Sequence, residues 1–322
     1  MTFTCWEVLS LAVLVVVGLR VLLKLSLLVW KKLIAPNFGF GIDLTKQGKW
    51  AVITGSTSGI GKAYAEQLAA KGLDIVLVSR SLSALEDVAA EIKQRYGVEV
   101  RIVEADLMEG QPVFAKIAKA TEELEVAVLI NNAGASSEHP DLFTNNTEES
   151  IEKIVKLNVS ATTGVARAVL PKMFERRKGV LINISSALAV IPSPYLTAYA
   201  ASKEYVVKFS YDLAAEAARN GITVQCVIPG PVATKMSKIK KATWMAPSPE
   251  KFVEASLKTV GIEWLTTGYL PHFLFTAFIQ TLHCVCEKGA IWLISKQMCN
   301  IRARALKKKN QASSSEKAPL SN

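Results

Sequence analysis

The stretch Lys49-Trp-Ala-Val-Ile-Thr-Gly-Ser-Thr-Ser-Gly-Ile-Gly61 leaves this chain few ways to fold. Its apolar run, Trp50 to Thr54, reads as a buried strand, and Gly55, Gly59 and Gly61 carry the backbone through a tight turn into a helical pattern starting near Ile60. Glycine allows the positive φ of such a turn. It also lets backbone N–H groups approach a pyrophosphate closely, with the positive end of the following helix behind them. Turns use glycine for conformational reasons alone, so the loop takes its meaning from context. A second apolar strand, Asp74–Ser79, follows the helix after Gly72 and completes a βαβ unit of the length expected for dinucleotide binding.

The alternation continues. Leu82–Tyr96 has the helical spacing of Leu85, Val88, Ala89 and Ile92; Val98–Glu104 alternates as a third strand, and Val126–Ile130, Gly179–Ser186 and Thr223–Ile228 supply three more. Strands and helices in turn build a parallel sheet whose ligands sit beyond the carboxyl ends of the strands. Those ends carry Asp106, then Asn131-Asn132-Ala133-Gly134, then Ser186, then Pro229-Gly230-Pro231-Val232-Ala233-Thr234. Asp106 stands where a carboxylate accepts from an adenine amino group, and equally where one caps a helix. A long helix from Glu148 to Arg176 contains Asn158 among Ile154, Val155, Leu157 and Val159, and an amide in that company needs a partner.

A further helix from Ala198 places Tyr199 and Lys203 four residues apart on one face. An ammonium beside a phenol stabilises phenolate and lowers a pKa that is ordinarily about 10. Ser186, at a strand end, can bring a hydroxyl to the same pocket. At the end of the second strand, NAD-specific folds carry an acid for the ribose 2′-OH. Here that place reads Val78-Ser79-Arg80, and the nearest acid, Asp74, lies at the opposite end of the strand. Arg80 offers a cationic fork suited to a 2′-phosphate, with Ser79 as an extra donor, so NADPH is the expected cofactor; the alternative is a solvated strand-end arginine.

The 322 residues allow one catalytic domain plus appendages, and half of them are hydrophobic, which points to membrane contact. From Val8 to Trp30 the chain is apolar except for Arg20, Lys24 and small polar groups, long enough to cross a bilayer. A cleaved signal peptide is disfavoured, since no basic residue precedes the run and no small-residue cleavage site follows. Arg20, Lys24, Lys31, Lys32, Lys46 and Lys49 lie within or after it, which places the following domain in the cytosol. Pro36 to Gly48 reads as a linker. Lys235 to Trp264 is basic, then helical around Phe252–Val260, and reads as a substrate lid. Tyr269–Ile294 is apolar again and is followed by Arg302, Arg304 and Lys307–Lys309. A single crossing would carry those cations to the wrong side, so the segment is expected to lie against the membrane, with a disordered tail over 307–322.

Other chemistries find little support. The five cysteines, Cys5, Cys226, Cys284, Cys286 and Cys299, form no CxxC pair and read as reduced thiols. The three histidines, His139, His272 and His283, lack zinc-ligand spacing, so no metal is expected. A net charge of +10 without aromatic interleaving suits membrane phosphates and not nucleic acid.

These motifs resemble those of the short-chain dehydrogenase/reductase family over roughly Gln47 to Gly268: Thr54-Gly-Ser-Thr-Ser-Gly-Ile-Gly61, Asn131-Asn-Ala-Gly134, Asn158, Ser186 and Tyr199-x-x-x-Lys203. The pieces Gly48-Lys-Trp-Ala-Val-Ile-Thr-Gly, Ile182-Asn-Ile-Ser-Ser, Pro247-Ser-Pro-Glu-Lys-Phe-Val and Lys258-Thr-Val-Gly, with the N-terminal span, are similar to one branch. That branch is the membrane-bound very-long-chain 3-oxoacyl-CoA reductases, close to the 17-beta-hydroxysteroid dehydrogenases. The resemblance implies an α/β fold with a doubly wound parallel (Rossmann) sheet, an anchor and linker over 1–46, a catalytic domain over 47–268 and a membrane-associated segment over 269–306. It implies hydride transfer from NADPH to a ketone, with Tyr199 as general acid, Ser186 holding the carbonyl oxygen, and Lys203 lowering the Tyr199 pKa and binding the nicotinamide ribose. Asn158 would hold a water linking Lys203 to solvent; the alternative is a helix-bending structural amide. Implied cofactor contacts come from Gly55, Ser56, Ser58, Gly59, Ile60, Gly61, Arg80, Asp106, Asn132, Tyr199, Lys203, Pro229, Val232 and Thr234. The expected setting is the endoplasmic reticulum membrane with the domain facing the cytosol. Expected partners are a long-chain acyl-CoA or steroid substrate, membrane lipid, fatty-acid elongation enzymes and a second copy of the chain. The competing reading is a non-catalytic membrane scaffold, against which the intact Ser-Tyr-Lys set argues.

Overall fold

A computed structural model of the chain describes residues 4–316. Strands β1 (Trp50–Thr54), β2 (Asp74–Ser79), β3 (Val100–Glu104), β4 (Val126–Asn131), β5 (Gly179–Ile184), β6 (Ile222–Val227) and β7 (Leu265–Thr266) form one parallel sheet of seven, ordered β3-β2-β1-β4-β5-β6-β7. The central strands β1, β4 and β5 are buried at every position. Helices cover both faces, which is why these strands read as continuous apolar runs.

Side-chain alternation sorts the strands into two cores. Ala51 and Ile53 of β1, with Ile75 and Leu77 of β2, pack beneath α2 (Gly59–Ala69), α3 (Leu82–Tyr96) and α8 (Pro249–Leu257). Trp50, Val52, Val76 and Val78 face the other way, onto α4 (Gln111–Thr121) and α6 (Ala161–Arg176). The helix α7 (Thr197–Ala218) joins that second layer through Ala217. Strand order reverses between β1 and β4, so a crevice opens there at the carboxyl edge. The structure adds α4 and β7, which the sequence pattern did not single out. It also breaks the single helix expected over Glu148–Arg176: α5 (Glu148–Val155) passes through a π turn, Lys156–Ser160, before α6 begins.

At the N-terminus, α1 (Cys5–Val29) continues as a π turn through Ile34, and Cys5–Ile34 is long and apolar enough to cross a membrane. Its start is closed by a capping box, with Thr4 accepting from the Glu7 N–H and the Glu7 carboxylate accepting from the Thr4 N–H. Its far end is tied to the domain. Lys32 Nζ lies 2.5 Å from a Glu263 carboxylate oxygen and 4.7 Å from the Phe273 ring centroid, and the Ile42 N–H donates to the Val260 carbonyl at 2.9 Å. The linker therefore docks, with Leu44 buried in the first core.

The C-terminal region forms two helices, α9 (Leu270–Val285) and α10 (Glu287–Glu316). One side of this pair packs on the domain. Ile279, Ile294 and Met298 pack with Ile191 and Leu196 in an apolar cluster that touches Tyr199, while Leu274, Phe278, Val285 and Trp292 stay exposed. The tail expected to be disordered from residue 307 is helical through Glu316; 317–322 lie outside the described residues.

Candidate active site

The glycine turn is folded tightly enough that side chains are excluded. A methyl group at Gly61 would stand 2.3 Å from the Gly55 carbonyl oxygen and 2.5 Å from Asn132 Nδ2. Gly55 and Gly59 sit at φ of +63° and +58°, in the left-handed region that favours glycine. Thr54 staples the turn to the Asn-Asn-Ala-Gly segment: its hydroxyl accepts from the N–H groups of Asn132 and Ala133 at 3.0 Å each. The Asn132 amide donates back to the carbonyls of Thr54 (3.1 Å) and Gly55 (3.3 Å), so this side chain shapes the cradle from behind. Helix α2 opens at Ser58 with no side-chain cap, so its first N–H groups have no side-chain acceptor. A backbone cradle, uncapped helix donors and no room for Cβ atoms fit a dinucleotide pyrophosphate.

Around this cradle, Ile60 packs on the first core and Val232 is buried within it, so both support the loop. Thr234 Cγ2 lies 3.3 Å from where a Gly59 Cβ would be, which brings the Pro229–Thr234 turn over the glycine loop. The Pro229 carbonyl accepts from the Ala187 N–H at 2.8 Å, linking the same turn to the residue after Ser186. Ser56 is fully buried, its hydroxyl donating to the Val78 carbonyl at 3.4 Å. Arg80 is exposed just past β2 and makes no hydrogen bond or ion pair among the described residues; the Ser79 and Thr57 hydroxyls pair beside it at 3.2 Å. Asp106 caps a short 3-10 turn, accepting from the Met108 N–H at 3.0 Å, so the cap that its position allowed is formed.

On the other side of the crevice Ser186 stands beside the Tyr199 hydroxyl, its own Oγ accepting from the Leu188 N–H at 3.2 Å. Tyr199 keeps part of its surface accessible while its hydroxyl end is deeply enclosed, and burial pushes the phenol above its ordinary pKa, with the neighbouring Ser186 hydroxyl opposing. The expected lowering of that pKa by Lys203 is not seen. Lys203 Nζ donates to the Ile184 carbonyl at 3.0 Å and lies 5.9 Å from the Tyr199 ring centroid. Burial pushes its own pKa down to about 8, because the ammonium is taken out of water with no carboxylate beside it.

Asn158 is fully buried in the π turn. Its Oδ1 accepts from the Ala135 N–H at 2.8 Å, and its Nδ2 donates to the Ala135 carbonyl at 2.9 Å and to Ser202 Oγ at 2.8 Å. Both amide hydrogens of this side chain are thus taken by protein partners. A methyl group at Gly134 would stand 2.8 Å from Asn158 Oδ1 and 3.2 Å from Lys203 Nζ, so the glycine lets both approach one spot. Three residues escaped the sequence reading. Ser202 accepts from Asn158 and donates to the Tyr199 carbonyl at 2.7 Å, and the Ser185 hydroxyl donates to the Lys203 carbonyl at 2.6 Å. His272 is buried against the Pro229–Pro231 turn. A serine inside a helix was the available signal for Ser202; His272 had none, since its partners are backbone groups distant in sequence.

Comparison with known proteins bears on this geometry. The family model for short chain dehydrogenases matches residues 49–244. A very-long-chain 3-oxoacyl-CoA reductase of Anas platyrhynchos is 44% identical over 265 residues, spanning 81% of this chain and 84% of the relative. A human protein named inactive hydroxysteroid dehydrogenase-like protein 1 is 40% identical over 250 residues, 76% of each chain. Among solved structures, a short-chain dehydrogenase from Sphingobium yanoikuyae in complex with NADPH superposes with a TM-score of 0.64 at 28% identity, covering 74% of this chain and 96% of the other.

Proposed function

This chain belongs to the short-chain dehydrogenase family and is a nicotinamide-dependent oxidoreductase, and from that premise we propose that it reduces very-long-chain 3-oxoacyl-CoA to 3-hydroxyacyl-CoA with NADPH. The observation that carries the proposal is the gathering of Ser186, Tyr199 and Lys203 at the crevice, with Tyr199 packed against the apolar cluster that α9 and α10 help to build. That wall suits a ketone on a long hydrocarbon. When bound, the reduced nicotinamide supplies the hydride that adds to the ketone carbon. Tyr199, held protonated by burial, gives its proton to the developing alkoxide. Ser186 donates a hydrogen bond to the same oxygen, and the Lys203 ammonium offsets the charge left on the tyrosine. Asn158 fixes the Ala135 backbone against α7 through Ser202, which keeps Tyr199 and Lys203 in register.

The glycine turn and the first N–H groups of α2 would hold the pyrophosphate, Asp106 the adenine edge, and Arg80, free of protein partners, the 2′-phosphate. Membrane attachment is read from α1 and from the tie between Lys32, Glu263 and Phe273, which sets the start of α9 where α1 leaves the bilayer. The exposed Leu274, Phe278 and Trp292, with Lys296 Nζ 4.9 Å from the Trp292 ring centroid, suit a lipid interface on the cytosolic face of the endoplasmic reticulum.

A non-catalytic scaffold draws some support from the relative named inactive, but the assembled Ser186, Tyr199 and Lys203 weigh against it. The test is NADPH oxidation by the full chain in lipid nanodiscs, offered a very-long-chain 3-oxoacyl-CoA and, separately, a 17-ketosteroid. The expected result is turnover of the acyl-CoA with the larger kcat/KM. Preference for the steroid overturns the substrate, and no turnover of either overturns the enzyme.

A further inference from the structure

His272 lies in the first turn of α9, far in sequence from the catalytic and cofactor residues assigned above, yet it is fully buried and touches three segments at once. Its Nδ1 accepts from the Gly230 N–H at 3.1 Å, while Nε2 faces the carbonyls of Pro231 at 3.1 Å and Met245 at 3.0 Å. An N–H donor on one nitrogen and two carbonyls on the other leave one arrangement that satisfies all of them: the neutral ring with its proton on Nε2. The ring lies close against Gly230, where a Cβ would come within 2.7 Å of Cδ2 and 2.9 Å of Cγ. Phe252 and Tyr269 flank it, with ring centroids 5.8 Å and 5.1 Å away.

The turn so gripped spans the site. At Pro229 it holds the residue after Ser186, and at Thr234 it meets the glycine loop. Met245 belongs to the segment read as the substrate lid. We infer that His272 is a positioning residue, a clasp by which α9 fixes the Pro229–Pro231 turn against the cofactor and the Met245 segment over the ketone. The inference rests on the proposed reading of this crevice as the NADPH and ketone site.

Two variants divide the clasp. Asn places an oxygen near the position of Nδ1, so His272→Asn keeps the acceptor for Gly230 but cannot reach the two carbonyls. Gln places its amide nitrogen near Nε2, so His272→Gln keeps the donor toward Pro231 and Met245 and loses the acceptor. NADPH Kd is read by fluorescence and ketone KM by turnover, with a thermal melt confirming that each variant is folded. His272→Gln should raise the NADPH Kd about five-fold with the ketone KM nearly unchanged, whereas His272→Asn, which loses Met245 together with Pro231, should raise the ketone KM about five-fold as well as the NADPH Kd, on the scale of one hydrogen bond each. Folded variants that leave both constants unchanged, a His272→Gln that raises the ketone KM as much as the NADPH Kd, or a His272→Asn that leaves the ketone KM unchanged, overturn the clasp. If either variant fails to fold, Gly230→Ala decides, since it crowds the ring without removing a bonding group: a NADPH Kd raised about five-fold supports the inference, and an unchanged one overturns it. A wild type that binds NADH and not NADPH overturns the cofactor reading alone, and the clasp is then judged on the NADH constants.

Discussion

Replacing Asn158 by alanine tests whether the π turn exists to seat one amide. Three hydrogen bonds of 2.8 to 2.9 Å vanish, and the N–H and carbonyl of Ala135, a residue only 8% exposed, lose the partner that saturates them. Each bond contributes about 1 kcal/mol net, and each buried group left unpaired costs about 1–3 kcal/mol, so the whole change is roughly 3–5 kcal/mol. For a domain of this size 1 kcal/mol moves the melting temperature by about 2–4 °C, so a drop of roughly 10 °C is expected. Asn158→Leu fills the space and should fall nearly as far, because the loss lies in the unpaired backbone and not in a cavity. Asn158→Asp keeps an acceptor for the Ala135 N–H but points a second oxygen at the Ala135 carbonyl. Ionisation is penalised there, the folded pKa rises above the unfolded value, and the destabilisation should grow as pH rises and ease toward acid. The assay is a thermal melt of purified protein in detergent at one fixed scan rate, at pH 5 and pH 8, with turnover measured below the transition. An alanine variant that melts within about 2 °C of wild type and keeps its kcat would refute the reasoning.

Tyr199→Phe keeps shape but removes the transferable proton, so turnover should fall by about 10²–10⁴ with the NADPH Kd unchanged; near-normal turnover would disprove the general-acid role. Wild type should prefer NADPH to NADH by kcat/KM, and Arg80→Glu should reverse that order; a variant with the wild-type preference sinks the 2′-phosphate assignment. Lys203, pushed down to about 8, loses its charge as pH rises through that value, so reduction should decline above about pH 8. Between there and its ordinary pKa the unfolded chain binds the extra proton, so this residue makes stability rise with pH; comparison with Lys203→Met isolates both slopes, and parallel slopes would contradict the burial. Of the sequons beginning at Asn145, Asn158 and Asn183, the last two asparagines are fully buried and Asn145 is exposed, so Asn145 reports topology. A mobility shift on glycosidase treatment would place the domain on the lumenal side.

What could be read before any coordinates was whatever local pattern dictates. Apolar runs of strand length, the glycines at 55, 59 and 61, and the Tyr199–Lys203 spacing each depend on neighbours within a few residues, so β1, β2 and α3 stand at their expected bounds. The long apolar run at the N-terminus announced α1 for the same reason. Tertiary structure decided the rest. The π turn at Lys156–Ser160 arises because Asn158 must meet Ala135 across the crevice, a contact no helical periodicity encodes. The direction in which the pKa values of Tyr199 and Lys203 move is set first by burial, not by their spacing on one helix. Hydropathy marked α9 as a membrane segment, yet His272 and Ile279 turn one of its faces into the site. Hydrophobic burial is indifferent to whether lipid or protein covers a residue, and only the fold supplies the partner.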